Sequence, residues 1–200
     1  MVSCIEQDSL KNRRSIYGLG KLSPSINGCL EDSIKSCLLH CPSPFNIQSA
    51  RIVILLNKQH QLLWEKIWNN LKKIVSSQRQ KATKEKIDSF ANAYGTILFF
   101  EDKSSLAELK KQFPLYRKNM KAWTQQANGM LQFMIWQILA ENNIGASLQH
   151  YNEIIQEDLY SMYNLSKNWE LVAQMPFGSI EKEPSEKTFL PLEGRIKIFK

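Results

Sequence analysis

The chain has 200 residues, a length that suits one domain with a core of its own. Its hydrophobic content of 43% is ordinary, and no apolar run approaches the ~18 residues that a membrane-spanning helix needs, so a helical membrane protein is excluded. The net charge of +7, from 26 basic against 19 acidic residues, leaves nucleic acid, acidic membranes and phosphorylated small molecules open as partners. The lysines, however, are interleaved with acids and apolar residues as on solvated helix faces, and no nucleic-acid motif is present.

The first residues, "MVSCIEQDSLKNRRSIYG", carry acids and arginines where a secretion signal needs an apolar segment, which makes the cytoplasm the expected setting. Residues 28–41 place Leu30, Ile34, Leu38 and Cys41 at helical spacing, and Pro42 stops that helix. Four cysteines, Cys4, Cys29, Cys37 and Cys41, are too few and too clustered for a disulfide framework. Cys37, His40 and Cys41 share the helix, but no second ligand pair completes a zinc site, so buried thiols and no metal are expected.

After a turn, "PSPFNIQS", comes "ARIVILL", a β-branched run read as a strand buried on both faces. A helix is expected over about 59–75, with Leu63, Ile67, Leu71 and Ile74 on one side, and helical patterning with a wet face continues through "SSQRQKATKEK". "YGTILFFED" is a second buried strand, and "SSLAELKKQF" a helix capped by Ser104 or Ser105 and ended near Pro114. The helix from Trp123 to Leu139 is apolar almost all round in its second half, as expected when one side enters the core and another meets a second subunit. "IGASLQHYN" is a short strand or turn, "WELVAQMPFG" a strand and the stretch to Gly194 a polar loop. The closing "RIKIFK" alternates, and such a strand must find a neighbour in its own sheet or in another chain, or fray. With no repeat or linker, residues 1–200 form a single α+β domain with a central mixed sheet surrounded by helices.

There is no GxGxxG, P-loop, GxSxG elbow or HExxH, and only three histidines, so chemistry is expected to belong to a cofactor and no catalytic side chain is assigned. Four polar clusters remain: "RRSIYG" at 13–18, "PSPFNIQ" at 42–48, "GASLQHYN" at 145–152 and "RIK" at 195–197. Arginines beside a serine suit a phosphate, and side-chain amides suit a heterocycle edge that alternates donors and acceptors. Each cluster also has a plainer structural reading: exposed arginines, turn-satisfying amides, and aromatic packing at Phe113, Tyr116 and Trp123.

Taken in order, "RRSIYGLGK", "PSPFNIQSARIVIL", "FFED", "QFPLY", "GASLQHYN", "AQMPFG" and "RIKIF" resemble the FMN-dependent nitroreductases, specifically the small bacterial and fungal branch of fatty-acid-repression-mutant type. The resemblance implies a nitroreductase-like fold, an intertwined homodimer, and two FMN sites, each built from both chains. It implies FMN-binding roles for Arg13, Arg14, Ser15 and Tyr17, for Arg195 and Lys197, for the turn residues Pro42, Ser43, Phe45, Asn46 and Gln48 of the partner, and for Gln149 and His150 near the flavin ring. Tyr116 and Trp123 line the open face as substrate-binding residues. Many members carry a second basic residue where this chain has Tyr17, which leaves the charge of the reduced flavin to another cation, such as Lys72 or Lys73. The implied activity is reduction of nitroaromatics or quinones with NADH or NADPH by a ping-pong cycle. A flavin-binding redox sensor with incidental turnover is the alternative.

Overall fold

The computed structural model describes residues 8–200; Cys4 and the rest of the opening segment lie outside the described residues. Helix α1 (Asp8–Asn12) leads into a three-residue strand, β1 (Gly18–Gly20), and helix α2 (Asn27–His40). The chain continues through β2 (Ala50–Leu56), α3 (Asn57–Leu71), α4 (Ser77–Ala91), β3 (Gly95–Asp102) and α5 (Lys103–Gln112). It ends with α6 (Met120–Glu141), the two-residue β4 (Gly145–Ala146), α7 (Asn152–Met162) and β5 (Trp169–Lys182). The strands form one α+β sheet in the order β1-β5-β3-β2, with β4 also on β5.

Every residue of β3 is buried because the strand lies between β5 and β2 and both of its faces are covered. Its alternation decides the layers. Ile97 and Phe99 face one way, into a core built with Leu131, Ile135 and Leu139 of α6 and Ile34 and Cys37 of α2. Leu98 and Phe100 face the other way, against Leu63, Trp64 and Ile67 of α3, Phe90 of α4 and Leu159 of α7.

Several expectations change. Every ladder between named strands is antiparallel, where a mixed sheet was expected; the Ser15–Ala146 bridge is parallel. Strand β2, expected to be covered on both faces, is an edge strand within one chain, and most of it is only half-buried. Helix α5 is capped by Asp102, whose Oδ1 accepts from Ser104 N at 2.9 Å, rather than by either serine. The helix read from Trp123 begins one turn earlier, at Met120. The last residues form no strand with the sheet; a bridge between Glu193 and Ile196 closes a local turn, and Ile198 and Phe199 are exposed.

Helix α6 organises the rest. Ala127, Leu131, Ile135 and Leu139 enter the core at helical spacing, while Met130 and Phe133 stay open on the far side. Among the described residues no helix is long and apolar enough to cross a membrane.

Candidate functional site

Two groups of the sequence-predicted residues lie at opposite ends of α6, the arginines at one and the 42–48 turn with Tyr116 and Trp123 at the other. At its C-terminal end, Arg13 lays its guanidinium over the Trp136 ring, 4.4 Å from the centroid. Burial and then the adjacent Arg14 charge lower the Arg13 pKa, since both penalise a second positive charge at this place. Arg14 donates to the carbonyl of Ser185 at 2.6 Å. Among the described residues neither arginine has a carboxylate in ion-pair range. A cavity of about 530 Å³ opens between them and Glu186, Lys187 and Phe189. Ser15 is bridged to Ala146, and Ile16 N donates to Ala146 O at 2.9 Å, which fixes the arginine segment to the sheet edge.

Tyr17 is half-exposed and leans on Phe90, 6.4 Å between centroids. Gln149 is buried; its backbone exchanges two hydrogen bonds with Gln174, at 2.7 and 2.9 Å, and its side chain donates to Ser147 Oγ. His150, the next residue, is exposed. Arg195 donates to Leu190 O within its own turn, and neither it nor Lys197 is joined to Arg13 or Arg14 by a hydrogen bond within one chain. Lys72, at the end of α3 on the opposite face of the sheet, donates to Asn69.

At the N-terminal end of α6 stands the turn that follows α2. Pro42, Ser43 and Gln48 line a cavity of about 330 Å³ together with Cys41, Glu101 and Ala127. Phe45, Asn46 and Gln48 all take the left-handed conformation, with φ of 53°, 53° and 52°. Asn tolerates this; for Phe and Gln it costs about 1–2 kcal/mol each. Ser43 Oγ accepts from Gln48 N at 3.0 Å and closes the turn. The left-handed bend aims Phe45 at Phe113, which it stacks against at 4.2 Å and 15°, with Tyr116 and Trp123 at 5.8 and 6.4 Å. Tyr116 and Trp123, expected from the resemblance to be substrate-binding, therefore form one cluster with the turn, and Phe113 belongs to it.

Two organising residues were not picked out from the sequence. Gln174, fully buried in β5, accepts from Tyr151 N at 2.7 Å and donates to Asn152 Oδ1 at 2.6 Å, so it shapes the segment that carries Gln149 and His150. Glu101, 7% exposed, lies beneath the 42–49 turn. Burial raises its pKa, opposed by hydrogen bonds from Ser49 and Asn128 and by Arg51. The signal for both was a polar residue inside an otherwise apolar strand, "AQMPF" and "FFED". Of the thiols expected to be buried, Cys37 is buried and Cys41 is half-buried just past the end of α2, while Cys29 is exposed; burial is the chief cause that raises the Cys37 and Cys41 pKa values, and Cys41 Sγ contacts Ala127 O at 3.5 Å.

The donor set fits a flavin mononucleotide: crowded guanidinium groups with a cavity beside them for a phosphate, and amides and an aromatic cluster for a flat heterocycle. The thirteen helical steps from Trp123 to Trp136, however, separate the groups by about 20 Å along α6.

Residues 10–179 match the nitroreductase family. The nitroreductase FRM2 of Saccharomyces cerevisiae is 27% identical over 186 residues, covering 92% of each chain. The solved structure of the nitroreductase CinD from Lactococcus lactis in complex with chloramphenicol is 37% identical, with a TM-score of 0.87 over 96% of this chain and 98% of that one. The same protein in complex with 4-nitrophenol superimposes equally well, at 38% identity and a TM-score of 0.87.

Proposed function

This chain belongs to the nitroreductase family, and from that premise we propose that it is an FMN-dependent oxidoreductase that uses NADH or NADPH to reduce nitroaromatics or quinones in a ping-pong cycle. The observation that carries the proposal is the Arg13–Arg14 pair: two adjacent cations that form no ion pair among the described residues, one already partly desolvated, beside open volume. A dianionic phosphate is the natural complement of such a pair.

The bound flavin would supply the two-electron chemistry, accepting hydride from the nicotinamide and returning it to the acceptor. The chain's own residues do the rest. Arg13, Arg14 and Ser15, with Arg195 and Lys197, would hold the phosphate and ribityl tail. Pro42, Ser43, Asn46 and Gln48 would border the ring, and Gln149 and His150 would flank it from the sheet. The clustered aromatics Phe45, Phe113, Tyr116 and Trp123 would give a flat acceptor an apolar surface and exclude water from it. CinD is known in complex with two nitroaromatic compounds, chloramphenicol and 4-nitrophenol, which favours that acceptor class for this chain. A cytoplasmic setting belongs to the same proposal, since reduced nicotinamides are intracellular donors.

A homodimer is also part of it. The 20 Å between the arginine group and the turn group is bridged when two copies pack along α6, so that the arginines of one copy approach the turn of the other. Met130 and Phe133 on α6, and the exposed side chains of Phe189, Leu190, Ile198 and Phe199, are the apolar surface such packing would cover.

The test is a visible absorption spectrum of the purified protein before and after NADH or NADPH is added under argon, followed by a nitroaromatic or a quinone. Flavin absorbance that bleaches with the nucleotide and returns with the acceptor is expected. A protein that cannot be loaded with FMN would sink the proposal.

A further inference from the structure

The 42–49 turn is strained, and its conformation is held from below by the end of β3. Ser49 Oγ donates to Glu101 Oε2 at 2.7 Å, and Asp102 N donates to Ser49 O at 2.9 Å. Arg51 donates from Nη1 to Gln48 O and from Nη2 to Asp102 Oδ2, both at 2.8 Å. Against the upward pull of burial, hydrogen bonds from Ser104 and Ser105 and the Arg51 charge keep the Asp102 pKa low. Glu101 reaches further. Its Oε1 accepts from Asn128 Nδ2 at 2.8 Å, and Asn128 Oδ1 accepts from Gln132 Nε2 at 2.7 Å, one turn along α6. Asn128 is fully buried and also donates to Phe100 O, so its amide orientation is fixed.

A buried carboxylate is an expensive way to fill an interior position when an apolar side chain would pack as well. Here it links the strained turn, the central strand and the middle of α6. We propose that Glu101 is a positioning residue for the cofactor site: through Ser49 it locks the 42–49 turn in the conformation that presents Pro42, Ser43 and Gln48. This role rests on the reading that the turn borders the flavin.

The chemistry of the network dictates the variants. In Glu101→Gln, the amide oxygen can still accept from Asn128, and the amide NH2 can donate to Ser49 Oγ, because a hydroxyl both donates and accepts. Glu101→Ala leaves one of the two Asn128 amide N–H groups without an acceptor and frees Ser49, and Ser49→Ala cuts the same link from the other side without touching the strand. Two readouts are needed: hydrogen exchange of peptides covering 42–50 in the flavin-free protein, and the FMN dissociation constant by flavin fluorescence.

Glu101→Ala should speed exchange in 42–50 and weaken FMN binding, each by about tenfold, the size expected when a hydrogen bond to a charged group is lost. Ser49→Ala should do the same to a lesser extent, and Glu101→Gln should restore both readouts. If Glu101→Gln is as impaired as Glu101→Ala, the carboxylate acts through its charge or proton and the positioning role is wrong. Unchanged exchange in both alanine variants would overturn the lock while leaving the flavin reading intact. Faster exchange with unaltered FMN affinity would show that the turn lies away from the cofactor, and a wild-type chain that takes up no FMN would remove the reading on which the role rests.

Discussion

His60 Nδ1 lies 2.9 Å from Thr96 Oγ1, and this contact joins helix α3 to the central strand in a network with one consistent proton arrangement. Ala91 O can only accept, so His60 Nε2 carries the proton and donates to it; Nδ1 of the neutral ring then accepts from the Thr96 hydroxyl, whose oxygen accepts from Trp64 Nε1 at 2.9 Å. The imidazole is neutral and fully buried. Burial lowers its pKa from 6.5 to about 4; the hydrogen bond to Ala91 resists this, and the Lys21 charge adds to it.

Acid sensitivity follows. Between about pH 6.5 and 4 the unfolded chain binds a proton on this histidine that the folded chain refuses, so stability rises with pH in that window and is fully present above it. The loss on acidification should reach about 3 kcal/mol near pH 4. Urea unfolding at pH 7.5 and pH 5 should show it, and His60→Gln should flatten the slope. Equal slopes for the variant and the wild type would refute the assignment.

Arg13→Ala should weaken FMN binding by about 10- to 100-fold, as expected for loss of a charge-assisted contact to phosphate, with circular dichroism unchanged. Arg195→Ala should act in the same direction, and equilibrium dialysis with FMN measures both. Full flavin retention in the two variants would move the phosphate site elsewhere.

The open side of α6 sets the third expectation. Phe133→Glu places a charge in the middle of an apolar surface, so sedimentation should shift from dimer toward monomer, and flavin content should fall with it. A variant that stays dimeric with full flavin would show that another face pairs the copies.

Trp123→Ala opens the aromatic cluster, in which Trp123 lies 5.8 Å from Tyr116 and 6.4 Å from Phe45. Steady-state assays should show KM for a nitroaromatic raised by about fivefold, an aromatic contact being worth about 1 kcal/mol, with reduction by the nucleotide little changed. An equal loss in both half-reactions would mean that the ring supports the fold rather than the acceptor.

Gln174→Ala removes the acceptor of Tyr151 N and the donor to Asn152 in a fully buried place. It should cost about 2 kcal/mol, read as a fall in the urea midpoint. An unchanged midpoint would mean that water or a neighbouring group replaces the amide at no cost.

Periodicity made the major elements legible. "GTILFF" alternates between two cores and "LLWEKIWNNL" repeats at helical spacing, so β3 and α3 could be read directly. Strand β1 could not: it is "GLG", held by pairing with β5 and by the close approach of Gly178 to Gly20 O, where a side chain has no room. Helix α7, "NEIIQEDLYSM", buries Ile155, Leu159 and Tyr160 at helical spacing, a stripe that the sequence carried although no helix was expected there. Of the candidate site, the clusters could be picked out because prolines, side-chain amides and paired arginines concentrate in short polar stretches between apolar elements. Their partners were not, since Phe45 meets Phe113 and Ser49 meets Glu101 across more than fifty residues of chain, a relation that local spacing does not encode.

The separation of the arginine group from the turn group along α6 has a genetic consequence. In the proposed homodimer, a chain crippled at Arg13 and another crippled in the 42–49 turn, each inert with its own kind, would on mixing form hybrids in which one seam inherits both lesions and the other inherits neither. Co-expression should therefore recover up to half of a normal dimer's centres in every hybrid, rescue that a site confined to one polypeptide could not give.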